Sequence, residues 1–100
     1  MNQSVIRHVI VQGRVQGVGF RAFVEYEAVA RGLEGWVRNR HEGTVEAVFK
    51  GEETVVLDMI EACKRGPFAA RVDALHQRDG DAADFRPHRS GELFSVLPTA

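Results

Sequence analysis

The amino-acid sequence predicts an α+β protein with a ferredoxin-like β-α-β-β-α-β order, in which two helices cover one face of an antiparallel sheet. Two observations carry this prediction. Strand-like apolar segments occur four times, and each of two segments with helical spacing stands between strands. The chain has 100 residues, of which 44% are hydrophobic and 27% charged, so one folded domain is expected over residues 1–100.

The first strand is predicted over about residues 5–13, where valines follow an approximate period of two. Three glycines then interrupt the strand and permit backbone conformations that other residues resist: Gly13, Gly17 and Gly19. Apolar side chains next recur at helical spacing: Phe20, Phe23, Val24 and Ala28. This first helix is predicted to end near Gly32, because glycine is common just beyond the last helical turn.

Two further strands are predicted over residues 36–40 and 44–50. They are joined by His41-Glu42-Gly43, a link whose length and glycine suit a hairpin. A second helix is predicted over about residues 53–65, because its apolar residues again follow helical spacing. Gly66-Pro67 provides the stop, since proline does not continue a helix.

The C-terminal third is predicted to hold one complete strand and one short strand. Residues 71–76 form the fourth strand. Residues 79–92 are rich in Asp, Gly, Arg and Pro, which is typical of a surface loop. Residues 93–97 then form a short fifth strand, which the β-α-β-β-α-β order permits but does not require.

The composition argues against several classes of function. The formal net charge of -1 gives no global field that would recruit nucleic acid or an acidic membrane. No apolar run approaches the ~20 residues needed to cross a bilayer. Met1-Asn2-Gln3-Ser4 leads into the first strand without the features of a signal peptide, so a cytoplasmic location is expected. No long exposed apolar stripe is evident, which favours a monomer.

The cysteine and histidine content predicts neither a metal nor a cofactor. Cys63 is the single cysteine, so an intramolecular disulfide and a cysteine-based metal cluster are excluded. It lies in the second helical segment, where a buried and unreactive thiol is expected. The histidines lack the spacing of metal ligands: His8, His41, His76 and His88.

The first candidate functional segment is the glycine-rich turn before the first helix, Gln16-Gly17-Val18-Gly19-Phe20-Arg21. Such a turn can direct several backbone N–H groups at one anion, and the helix N-terminus adds partial positive charge. Arg21 would be unfavourable in that first helical turn unless an anion occupies the site, and its guanidinium suits two phosphate oxygens. The residues alone leave a tight turn with a surface arginine equally open.

The second candidate is Asn39, near the end of the second strand between Arg38 and Arg40. Asparagine is a poor strand residue, and turn chemistry ahead of Gly43 is one explanation of its presence. In a β-α-β unit whose two strands run in the same direction, however, both strands end on the same side of the sheet. That geometry brings Asn39 towards the turn that holds Arg21, so the two candidates support each other.

Two segments resemble the signature sequences of the acylphosphatase family. Gly13-Arg14-Val15-Gln16-Gly17-Val18-Gly19-Phe20-Arg21 is similar to that family's first motif. Gly35-Trp36-Val37-Arg38-Asn39, followed by Gly43-Thr44-Val45-Glu46, is similar to its second motif. The resemblance covers about residues 5–77, and the two motifs at this spacing are far more specific than a glycine pattern alone.

The resemblance implies a single acylphosphatase-like domain that needs no metal or cofactor. It would hydrolyse the carboxyl–phosphate bond of a small acyl phosphate to a carboxylate and inorganic phosphate. The resemblance further implies that Arg21 binds the substrate and that Asn39 orients the attacking water. The remaining phosphate-binding groups would come from the turn: Gln16, Gly17, Val18, Gly19 and Phe20. A carboxylate whose conjugate acid has a pKa of about 4 leaves without protonation, so no general acid is needed.

Two departures from the family pattern and three alternatives remain. Glu42 stands where the family often has Asp, and residues 79–100 are unlike the usual family ending.

The main alternative is a non-catalytic module that binds phosphate or acyl phosphate for regulation. An RNA-binding domain would need aromatic side chains on the open face of the central strands, where only Phe49 is available. A domain of a carbamoyl-phosphate-using maturation protein is the third.

Overall fold

The computed structural model describes residues 3–100; Met1 and Asn2, part of the segment considered above for a signal peptide, lie outside the described residues. The helices and strands follow in chain order: β1 (Ser4–Arg14), α1 (Phe20–Ala30), β2 (Glu34–Asn39), β3 (Val45–Glu52), α2 (Glu53–Arg65), β4 (Arg71–Asp79), α3 (Ala82–Phe85) and β5 (Phe94–Val96). No helix within residues 3–100 is long and apolar enough to span a membrane.

The five strands form one sheet in the order β4-β1-β3-β2-β5. β1 pairs antiparallel with β3 and β4, and β2 pairs antiparallel with β3. The predicted β-α-β-β-α-β order is confirmed, and β4 extends to Asp79 rather than ending near residue 76. β5 departs from the predicted antiparallel sheet, because it pairs in parallel with β2 through Val37 and Val96.

The direction of β5 follows from where β4 ends. Arg7 near the start of β1 pairs with Asp79 at the end of β4, and the Gly80 amide donates to the Ile6 carbonyl at 2.8 Å. β4 therefore ends at the same end of the sheet at which β1 and β2 begin. The segment after β4 therefore crosses the sheet at this end. β5 then lies beside β2 and runs in the same direction as β2.

One face of the sheet packs against α1 and α2 and forms the main core. The two helices bury these side chains: Phe20, Val24 and Ala28 from α1, and Val56, Met59, Ile60, Ala62 and Cys63 from α2. Burying each large apolar side chain contributes roughly 1.5–3 kcal/mol. Burial also raises the pKa of the Cys63 thiol to about 12, so it remains the protonated core side chain that the sequence predicts.

The opposite face of the sheet is partly covered by α3, within the segment predicted as a surface loop. Trp36 is buried on this face with Val48 and Leu97, and its Nε1 donates to the backbone oxygen of Asp84 at 2.8 Å. Asp81 and Asp84 cap α3 reciprocally, each side chain accepting from the other residue's backbone N–H. The prediction of a loop throughout 79–92 was wrong, because a polar composition is also compatible with a short capped helix whose contacts are distant in sequence.

Candidate active site

The glycine-rich turn and Asn39 meet at one end of the sheet, as the sequence predicts. β1 and β2 both pair antiparallel with β3, so they run in the same direction and end on the same side. Between the turn after β1 and the end of β2 is a cleft of about 430 Å³. The predicted site residues that line it are Gly17, Gly19, Phe20, Arg21 and Asn39.

The turn between β1 and α1 depends on two glycines with positive φ. Gly17 has a φ of 72° and Gly19 a φ of 79°, a region that residues with side chains rarely adopt. A Cβ atom at either position would meet nothing within 4 Å, so conformation rather than space requires glycine. The Gly19 carbonyl accepts the first helical hydrogen bond, from the Phe23 amide at 3.0 Å.

The N-terminus of α1 opens on the cleft, and Glu25, the carboxylate in the cleft lining, lies beyond the first helical turn. No side chain of residues 3–100 caps this terminus, and its first turn contains no acidic residue. The first N–H groups of a helix have no acceptor within the helix, and the helix dipole places about half a positive charge at this end. Both properties favour an oxyanion at this position.

Arg21 adds a full positive charge to this end of α1. It is half-buried and lines the cleft, and it forms no ion pair with any carboxylate of residues 3–100. A cation at a helix N-terminus is repelled by the helix dipole. An anion bound in the cleft removes that penalty, and the planar guanidinium can donate to two of its oxygens.

Asn39 is the last residue of β2, and its backbone pairs with Val45 of β3. Its side-chain oxygen Oδ1 is buried and has no hydrogen-bond partner within the part of the chain that the structure describes. Leaving a buried acceptor without a donor costs about 1–3 kcal/mol. A water or ligand that donates to Oδ1 in the cleft removes this cost.

Two residues of the predicted binding turn lie close to the cleft, but their side chains have other contacts. The Gln16 amide Nε2 donates to the backbone oxygens of Arg40 at 2.7 Å and Thr44 at 2.8 Å. Val18 packs against the main core. Their available contribution to a bound anion is therefore through the backbone of the turn.

On the opposite face of the sheet, Glu46 holds the two residues that flank Asn39. Its Oε1 accepts from Arg38 Nε at 2.7 Å and from Arg40 Nη1 at 3.2 Å, and its Oε2 lies 2.7 Å from His8 Nε2. Burial alone would raise the pKa of Glu46, but the hydrogen bonds from His8 and Arg38 outweigh burial and lower it. The carboxylate therefore stays ionised and holds Arg38 and Arg40, the residues on either side of Asn39.

The C-terminal segment completes one wall of the cleft. Val96 of β5 lines it, and beyond β5 the Leu97 amide donates to the Val37 carbonyl at 2.9 Å. The Ala100 amide then donates to the Asn39 carbonyl at 3.0 Å. The ending that differs from the usual family pattern thus continues beside β2 as far as Asn39.

Sequence reasoning missed four residues of the cleft lining: Val15, Ala22, Glu25 and Val96. Glu25 lies four residues after Arg21 on the predicted helix, so helical spacing could have identified it. Ala22 directly follows Arg21, and adjacent residues do not share a helix face. Val15 directly precedes the predicted turn. Val96 reaches the cleft through strand pairing between distant segments, which no local pattern indicates.

The groups at the turn and at Asn39 suit an oxyanion by their chemistry. They are backbone N–H groups, a guanidinium and a carboxamide, of which the first two only donate hydrogen bonds, whereas the Glu25 carboxylate lines the cleft farther along α1. Residues 3–100 contain no group of three or more His, Cys, Asp or Glu side chains arranged to hold a metal ion.

Comparison with known proteins gives consistent results. A model of the acylphosphatase family matches residues 7–89. The acylphosphatase of Rhodopseudomonas palustris (strain BisB18) is 56% identical over 98 residues, which are 96% of this chain and 97% of the relative. The match includes both the glycine-rich turn and the hairpin after Asn39.

Solved structures are similar over nearly the whole chain. The crystal structure of acylphosphatase from Bacillus subtilis has a TM-score of 0.80 and 37% identity, covering 93% of this chain and 98% of that chain. Full-length HypF in its phosphate- and nucleotide-bound form has a TM-score of 0.82 and 26% identity, covering 99% of this chain and 12% of HypF. The predicted ferredoxin-like fold class is confirmed.

Proposed function

This chain belongs to the acylphosphatase family, and we propose that it hydrolyses the carboxyl–phosphate bond of small acyl phosphates, releasing a carboxylate and inorganic phosphate. One observation carries the proposal. Arg21, which has no ion-pair partner among the described residues, and Asn39, whose Oδ1 has no hydrogen-bond donor there, line the same cleft. The first supplies positive charge for a phosphoryl group, and the second supplies an acceptor for water.

The phosphoryl group binds at the turn in this mechanism. Its oxygens accept hydrogen bonds from the Arg21 guanidinium and from backbone N–H groups of residues 16–20. Phosphoryl transfer passes through a loose transition state with charge spread over the equatorial oxygens, so catalysis comes mainly from positioning and charge stabilisation. The turn, the N-terminus of α1 and Arg21 provide both.

Asn39 orients the attacking water. Its Oδ1 accepts a hydrogen bond from the water and thereby directs a lone pair at phosphorus. A carboxamide does not take up a proton at neutral pH, so it acts by orientation rather than as a general base. The new P–O bond forms as the bond to the acyl oxygen breaks, and the carboxylate departs as an anion without a general acid. The proton of the attacking water passes to a phosphoryl oxygen, so the other product is inorganic phosphate.

Phosphate release from acetyl phosphate and benzoyl phosphate tests the proposal. Arg21→Ala should lower kcat/KM by about 10²–10³-fold and weaken inhibition by inorganic phosphate, because the phosphoryl-binding charge is lost. Asn39→Ala should lower kcat by about 10²–10³-fold with little change in phosphate inhibition, because the water rather than the phosphate loses its partner. Arg65→Ala removes an exposed arginine at the end of α2 and should retain wild-type kinetics.

Two results would contradict the proposal. Turnover by the wild-type protein no higher than that of Arg21→Ala would favour the non-catalytic phosphate- or acyl-phosphate-binding module. Equal losses of turnover and phosphate affinity in Asn39→Ala would argue against the water-orienting role.

We further infer a cytoplasmic monomer, with residues 1–100 as one domain and the acyl phosphate as its partner, acting without nucleic acid, membrane, metal or cofactor. An RNA-binding role would need aromatic side chains on the open face of β1 and β3. His8 and Glu46 face that side, whereas Phe49 belongs to the main core. Light scattering across a concentration series tests the monomer.

A further inference from the structure

The cleft continues past the phosphoryl-binding turn along the outer face of α1. Ala22 and Glu25 line the cleft and also border a second, shallow depression of about 510 Å³, which Tyr26 and Val29 line as well. Side chains three, four and seven positions apart share one face of a helix. These residues therefore form a continuous stripe, about 10 Å long from Ala22 to Val29.

Apart from Glu25, the stripe is apolar, and it faces solvent. Tyr26 is 72% exposed and Val29 is 48% exposed. Single exposed apolar side chains are common on proteins and need no explanation. These two are neighbours on one helix face and adjoin the cleft, which gives an apolar group bound beside the phosphoryl site a surface to cover.

Within the stripe, Glu25 lies between the cleft and the two exposed apolar side chains, Tyr26 and Val29. Its side chain is exposed and forms no ion pair within residues 3–100. A carboxylate at this position repels a second negative charge carried by a substrate and leaves a neutral group unaffected. The positive charge of Arg21 and the negative charge of Glu25 therefore divide the surface into an anion-accepting part and an anion-rejecting part.

We propose that Ala22, Glu25, Tyr26 and Val29 form the acyl-binding site, which selects uncharged apolar acyl groups, aromatic ones above all, over acyl groups that carry a carboxylate. This proposal rests on the proposed function, because the phosphoryl group must be bound at Arg21 for the acyl group to reach Tyr26. In-line displacement directs the leaving group away from the water held at Asn39. The wall of Ala22 and Glu25 then leads it onto the stripe, where an aromatic ring packs against Tyr26.

Tyr26→Ala tests the apolar part of the site. The ratio of kcat/KM for benzoyl phosphate to that for acetyl phosphate should fall about two- to tenfold, the range expected for the loss of one aromatic pair. Inhibition by benzoylphosphonate, which lacks the scissile oxygen, should weaken by a similar factor relative to acetylphosphonate. Val29→Ala should change both ratios in the same direction by less. Leu57→Ala, which truncates an exposed apolar side chain on α2, is the control and should change neither.

Glu25→Gln tests the charge selection. The kcat/KM for succinyl phosphate relative to benzoyl phosphate should rise about two- to fivefold at low ionic strength and less at high salt, because salt screens exposed charges. Glu61→Gln neutralises an exposed carboxylate on α2 and should leave the ratio at its wild-type value.

Failure of this proposal can be separated from failure of the proposed function. Hydrolysis of acetyl and benzoyl phosphate with ratios that Tyr26→Ala and Val29→Ala leave unchanged would overturn the acyl-binding site and retain the enzyme. An unchanged succinyl ratio in Glu25→Gln would overturn the charge selection. A concentration-dependent dimer that Tyr26→Ala abolishes would show that a second copy covers the stripe and would overturn the site. Absence of turnover with every substrate would overturn both proposals.

Discussion

At the scale of single residues, Gln16 connects two parts of the site. Its amide is fixed by the carbonyls of Arg40 and Thr44, one on each side of the hairpin after β2. The backbone of the phosphoryl-binding turn is thereby tied to the strand end that carries Asn39. In the proposed mechanism, this pair of hydrogen bonds sets the distance between the bound phosphoryl group and the attacking water.

Gln16→Ala should therefore lower kcat by about 10- to 100-fold, because displacements of about 1 Å at a reacting centre cost this much. Gln16→Glu should not restore activity, since a carboxylate cannot donate to two carbonyl oxygens and would be repelled by them. Steady-state kinetics with acetyl phosphate measures both variants. Gln77→Ala, at an exposed position on β4, is the control, and wild-type activity in Gln16→Glu would argue against the role of the amide.

Local chemistry was enough to predict Arg21 and Asn39 as neighbours. The glycine-rich turn, an arginine in the first helical turn and a polar residue at a strand end each stand out in the sequence. The contacts of Gln16 could not be predicted in this way, because its acceptors are backbone atoms 24 and 28 residues away. The placement of Val96 depends on strand pairing over a longer separation still.

At the scale of secondary structure, α3 is held both by charge and by Phe85, which packs against the cluster of Trp36, Val48 and Leu97. The Arg78 guanidinium donates to both carboxylate oxygens of Asp84 at 2.9 Å, and Asp84 completes the cap with Asp81. The hydrogen bond from Arg78, more than the backbone contact at Asp81, lowers the pKa of Asp84. This four-residue helix carries the backbone oxygen to which Trp36 donates.

Asp84→Ala should reduce the free energy of unfolding by about 1 kcal/mol, the usual cost of losing a capping side chain. Urea unfolding followed by far-UV circular dichroism measures the change. Asp58→Ala, an exposed carboxylate on α2 that pairs with Arg31, provides a comparison for the loss of an ion pair alone. A loss no greater than in that control would contradict a structural role for the cap.

The helices α1 and α2 and the first four strands were predictable, because the apolar residues of each follow a regular spacing within its own segment. α3 and the direction of β5 were not. The partner of α3 is Trp36, 48 residues away, and nothing in the composition of residues 79–92 indicates that contact. The parallel pairing of β5 depends on where β4 ends in space, which is a property of the assembled sheet.

At the scale of the whole molecule, the open sheet face joins several strands through charge. Glu46 on β3 contacts His8 on β1 and Arg38 on β2, and Arg40 just beyond β2 joins the same carboxylate. Exposed ion pairs contribute little to stability, but Glu46 is 8% exposed. The buried, ionised carboxylate of Glu46 therefore links β3 to β1 and β2.

Stability should fall in acid for this reason. The pKa of Glu46 is lower in the folded chain than its ordinary value of 4.5, so the unfolded chain binds more protons near that pH. The stabilising contribution is complete above about pH 4.5 and is lost as the pH falls through the folded value; Asp84 acts in the same direction. Urea unfolding between pH 3 and 7 should give a shallower pH dependence in Glu46→Gln than in Glu61→Gln, and equal slopes would contradict this assignment.

The position of β5 gives the protein a way to lose activity without unfolding. β5 has three residues and lies at the edge of the sheet with β2 as its neighbour, and short edge elements open at lower free energy than a core does. Its detachment would remove Val96 from the cleft and release the Asn39 carbonyl from Ala100. We expect turnover to decline at urea concentrations that leave the circular dichroism unchanged, whereas coincident curves would contradict local opening. Activity would then report the fraying of one strand that measurements of global stability do not detect.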